Sequence, residues 1–82
     1  MREIKRMRDG TKEQWLKKIS EEYDLATSKF SKFNSAHEGY AVILEELDEL
    51  WECVKTNKDY RELQDEARQV GAMALRFLVD IC

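Results

Sequence analysis

No proline interrupts this 82-residue chain and only three glycines occur in it, so little in the composition breaks long helices. No segment alternates apolar and polar residues with period two, which argues against strands. No apolar run reaches the roughly 18 residues of a membrane span. The basic start, MREIKRMRDG, lacks the apolar centre of a signal peptide. The two cysteines, Cys53 and Cys82, lie far apart and match no zinc pattern, so free thiols in a cytoplasmic protein are expected. A net charge of −3 is mild and has the wrong sign for a nucleic-acid surface.

What remains, 43% hydrophobic and 38% charged residues, suits amphipathic helices. The length fits one small all-α domain spanning 1–82, near the size where a lone core is marginal. Residues 1–10 read as a loose lead-in, with Gly10 marking a break. Three capping signals follow: Thr11 with Gln14, Ser35 with Glu38, and Asp59 with Glu62. Each precedes a helical apolar pattern, which predicts helices over about 11–33, 36–56 and 59–81. The end of the first is least defined, because SKFNS favours turns.

The second helix, HEGYAVILEELDELWECVK, carries the most information. Tyr40, Ile43, Leu44, Leu47, Leu50, Trp51 and Val54 form one apolar stripe, expected to be core, and Glu38, Glu45, Asp48 and Glu52 fall on the solvated side. At about 100° per residue, Glu46 and Glu49 fall elsewhere, on a strip shared with Gly39, Val42 and Cys53. That strip reads as a second covered face, and a covered carboxylate needs a cationic partner.

On the third helix the stripe is Leu63, Ala67, Val70, Ala74, Leu78 and Ile81, yet VGAMALRFLV is apolar nearly all round, with Arg76 its one charge. A helix apolar on every side must be surrounded. Three helices hardly suffice, so the chain is expected to pair with other subunits in a helical bundle. The apolar ending LVDIC points to a chain continuing beyond Cys82.

Glu66 and Gln69 repeat on the third helix the i, i+3 spacing of Glu46 and Glu49. Antiparallel packing, which a short connection encourages, would set these strips face to face. Oxygen-only ligands suit a hard cation such as Mg²⁺, with Mn²⁺ as an alternative. Pairing with lysines or with Arg76, or a plain solvated acidic face, would account for the same acids. His37, in the first turn of the second helix, reads as a local hydrogen-bonding group or a phosphate contact. Arg76 reads as a neutraliser of buried acids or a phosphate contact. Phe30, Phe33, Tyr40 and Trp51 read as core in preference to base-stacking groups.

Glu45-Glu46-x-x-Glu49, followed by Glu66 and a polar residue three positions later, resembles the EExxE…ExxD pattern of the MazG-like all-α nucleoside triphosphate pyrophosphohydrolases. HEGYAVILEELDELWE and DEARQVGAMALRFL extend the likeness over roughly residues 35–80. The resemblance implies Mg²⁺-dependent hydrolysis of a nucleoside or deoxynucleoside triphosphate to monophosphate and pyrophosphate, by a homodimer or homotetramer. It implies metal ligation by Glu46, Glu49, Glu66 and position 69, with Glu45 beside the site as a candidate base. Gln69 departs from the pattern, putting a neutral amide where the family has aspartate. That departure keeps alive a MazG-like protein that binds nucleotide or metal with weak or no catalysis, or a helical oligomerisation module.

Overall fold

The computed structural model describes residues 10–82, so most of the expected lead-in lies outside the described residues. Three helices follow, α1 (Lys12–Lys29), α2 (Ala36–Lys55) and α3 (Tyr60–Asp80), and no strand occurs among the described residues. Each begins at its capping residue. Thr11 and Gln14 exchange both bonds of a capping box, at 2.8 and 3.2 Å. The Ser35 hydroxyl accepts from the Glu38 N–H at 3.1 Å, and the Asp59 carboxylate from the Glu62 N–H at 3.0 Å. No helix of the described residues is long and apolar enough to cross a membrane.

α1 ends at Lys29, short of residue 33, because Phe30 turns extended at φ −124° and the chain swings inward. The swing buries Phe33, and the C-terminal half of α3 holds it there. Arg76, only 4% exposed, lies over the Phe33 ring at 4.2 Å and donates to the Ser31 carbonyl at 2.9 Å. Asp80 accepts the Phe33 N–H at 3.1 Å. Local turn chemistry in SKFNS thus yields a tertiary strap.

α3 is the central helix, packed against both α1 and α2. Gly39 meets Phe77 while Glu46 and Glu49 meet Glu66, so α2 and α3 run antiparallel. The core is small: Ala26, Phe33, Ala72 and Met73 are buried, with Tyr23, Val42, Ile43, Phe77 and Ile81 packed against them.

One expectation is overturned. The stripe Tyr40, Leu44, Leu47, Trp51 and Val54 is exposed, not core, and only Ile43 and Leu50 of the expected set are half-buried. α2 instead turns inward the strip of Gly39, Val42, Glu46 and Cys53, about 130° around the helix. Ala67, Ala74 and Leu78 of the α3 stripe, and Phe30, also read as core, are likewise exposed. Gly39 has a physical part in this choice. A Cβ there would come within 2.6 Å of the Phe77 ring and 3.1 Å of the Phe33 ring, so only glycine lets α2 approach this closely.

Replacing glycine by alanine inside a helix ordinarily stabilises by up to about 1 kcal/mol. At Gly39 the sign should reverse, with a loss of about 1–3 kcal/mol from overpacking, read as a lower urea midpoint at unchanged slope.

Candidate metal centre

Glu46 and Glu49 stand one turn apart on α2, and Glu66 faces them from α3. Each offers a carboxylate oxygen, and the three oxygens lie within 4.8 Å of one another. Like charges at such separations repel by about 1–3 kcal/mol per pair between aqueous and protein-surface screening. One oxygen of Glu66 is buried with no hydrogen-bond partner, an arrangement that ordinarily costs stability. Among the described residues, no lysine or arginine forms an ion pair with any of the three.

Protons register the crowding. Burial, then repulsion from Glu49 and Glu66, pushes the Glu46 carboxyl up to about 7. Burial, then Glu49, also raises the Glu66 carboxyl. The Cys53 thiol, on the same inward strip, is raised by burial and by Glu66. A small hard cation fits this donor set, since three convergent carboxylates lack a counter-charge and one has a free buried oxygen.

Beside the cluster, a groove of about 540 Å³ runs between the three helices, within the size range of small-molecule sites. Glu45, Glu46 and Gln69 line it, as do the apolar Phe33, Val42 and Met73 and the basic Arg76. A larger hollow, about 750 Å³, sits at the α2–α3 turn against Lys58 and Arg61, away from the three acids. Volume alone therefore does not locate the chemistry.

The remaining candidates divide. Glu45 is exposed at the groove edge. His37 is exposed in the first turn of α2 and does not line the groove. Arg76 lines the groove but does not neutralise the acids. Its Nη1 meets the Met73 sulfur at 3.5 Å, its Nη2 the Ser31 carbonyl, and its buried Nε has no partner. Asp65 pairs with Arg68 at 3.3 Å and Asp80 holds the strap, so neither supplements the cluster.

Gln69 makes a contact absent from the sequence reading. Its amide nitrogen donates to Glu22 of α1 at 2.9 Å, and Glu22 also meets Arg68 at 3.6 Å. The spacing Trp15, Ile19, Glu22, Ala26 places this acid in the inward edge of α1, a legible signal that went unused.

No family model matches the chain, and the searches of curated proteins and of solved structures likewise find no match.

The raised carboxyls set a pH dependence for the metal-free protein. Glu46 holds its proton more tightly folded, at about 7, than unfolded, at 4.5. Its stabilising contribution is therefore complete below 4.5 and lost as the pH rises through 7. After allowance for solvent screening, thermal melts in chelator should lose on the order of 1–2 kcal/mol between those limits. Glu46→Gln should flatten the slope.

Proposed function

We propose that this chain is a MazG-like nucleoside triphosphate pyrophosphohydrolase of the cytoplasm, working as a homodimer or homotetramer. The observation that carries the reading is the convergence of Glu46, Glu49 and Glu66, three carboxylates from two helices without a counter-charge. Its support is the EExxE…E spacing, the adjoining groove and the fit of the donor set to a hard cation.

In this reading Glu46, Glu49 and Glu66 hold Mg²⁺ or Mn²⁺, with Gln69 contributing a neutral carbonyl oxygen. When bound, the ion supplies charge neutralisation on phosphate oxygens and polarisation of water. The chain's own residues do the rest. The groove takes the nucleoside against Phe33, Val42 and Met73, which shield it from solvent. Arg76, which lines the groove, supplies positive charge beside the phosphates. Glu45 accepts a proton from the water that attacks the α-phosphorus. A phosphorus–oxygen bond forms to that water as the bond to the bridging oxygen breaks, and the electron pair leaves with pyrophosphate. His37, outside the groove, has no part in these steps.

One observation favours a second reading, a nucleotide or metal binder with weak turnover. Gln69 brings no charge, and its amide is engaged by Glu22. Three carboxylates suit one cation better than two.

A screen of nucleoside and deoxynucleoside triphosphates for pyrophosphate release separates the readings. Mg²⁺-dependent release should fall roughly 100-fold or more in Glu49→Gln. Full activity in that variant would remove Glu49 from the centre. If Gln69→Asp raises the rate, charge at that position is what limits turnover.

A further inference from the structure

Glu22 of α1 lines the same groove as Glu46 and Gln69 but has no part in the hydrolytic steps. Its side chain is 17% exposed, and its two oxygens have different partners. Oε2 accepts from Nε2 of Gln69 at 2.9 Å, and Oε1 lies 3.6 Å from Nη2 of Arg68. Apolar contacts fix the backbone on either side. One turn earlier, Ile19 packs over Gly71, where a Cβ would come within 3.0 Å of its Cδ1. One turn later, Ala26 is buried in the core. Glu22 is thereby held beside Gln69, yet it is not one of the three acids whose oxygens converge.

The chemistry of the pair gives this contact a direction. A primary amide has one donating and one accepting end, whereas an ionised carboxylate only accepts. Glu22 therefore selects the NH₂ end of Gln69 and leaves its carbonyl oxygen turned away. That oxygen accepts no hydrogen bond among the described residues. A glutamine left to itself can present either end to a cation, and the NH₂ end repels one. Its long side chain also loses rotamer freedom on ligation. A bond already made in the metal-free protein fixes the amide beforehand. A carboxylate on the NH₂ group further polarises the carbonyl, making its oxygen a better donor to a cation. Glu22 also brings a fourth negative charge beside Glu46, Glu49 and Glu66, which the neutral amide alone lacks.

We infer that Glu22 is a positioning residue for the metal centre, acting through Gln69 to aim and polarise its carbonyl oxygen. The inference rests on the metal centre proposed above. Arg68, between Glu22 and Asp65, keeps the carboxylate in place from the other side. Outer-shell partners of this kind ordinarily change metal affinity about 10–100-fold when removed.

Calorimetric titration of Mg²⁺ into the full chain and its variants tests this, with each fold checked by circular dichroism. Glu22→Gln should weaken Mg²⁺ binding about tenfold or more, and Gln69→Met should weaken it as well. In the Gln69→Met background, Glu22→Gln should add nothing, because its effect passes through the amide. If Glu22→Gln does not fold, Glu22→Asp keeps the charge but withdraws the acceptor from Gln69, and the same loss is expected. Unchanged affinity in the Glu22 variants, where Glu66→Gln abolishes binding, overturns the inference and leaves the centre standing. So does wild-type affinity in Gln69→Met, or an equal effect of Glu22→Gln with and without Gln69, which would mark a charge acting at a distance. A wild-type chain that binds no Mg²⁺ removes the centre itself and this inference with it.

Discussion

The way α2 sits on α3 decides most of this structure. The helix turns toward its neighbour a narrow strip of Gly39, Val42, Glu46 and Cys53, not its widest apolar face. Gly39 permits the close approach to Phe77, and the same rotation brings Glu46 and Glu49 against Glu66. The internal core is consequently slight, with four buried apolar residues among those described, while leucines and a tryptophan stand outside. A fold made only for stability would have exchanged these faces. Carboxylates brought together in this way, Glu46 and Glu66 half-buried beside the exposed Glu49, commonly serve a site.

Around that packing, charge is sorted with some care. Arg76, the one buried cation among the described residues, is engaged by the strap through Phe33 and Ser31. Arg68 is taken by Glu22 and Asp65. Neither reaches the three glutamates, whose repulsion is relieved in the metal-free chain by protons held at unusually high pH. A proton is a weak substitute for a divalent cation, which would answer all three carboxylates together. A metal bound there would compete with protons for one set of oxygens, so the proposed metal affinity should fall on acidification.

Much of this was legible before any coordinates. Capping spacings at Thr11, Ser35 and Asp59 mark three helix starts because each side chain satisfies a backbone N–H of its own first turn, a purely local transaction. The cluster was legible for a similar reason: i, i+3 spacing on two antiparallel helices leaves few ways to arrange the acids. Which face of α2 turns inward was not. Hydrophobic periodicity reports that a stripe wants cover, but not whether its own chain or another provides it. The end of α1 and the bond from Gln69 to Glu22 were hidden too, since both depend on contacts 45 or more residues away in sequence.

Calorimetric titration of Mg²⁺ into the metal-free chain near pH 8 tests the central claim most directly. The account predicts saturable binding with protons released on uptake, weakened near pH 5.5 and abolished by Glu66→Gln, whose fold circular dichroism would verify. No heat of binding through the millimolar range, or binding that Glu66→Gln leaves intact, would contradict it.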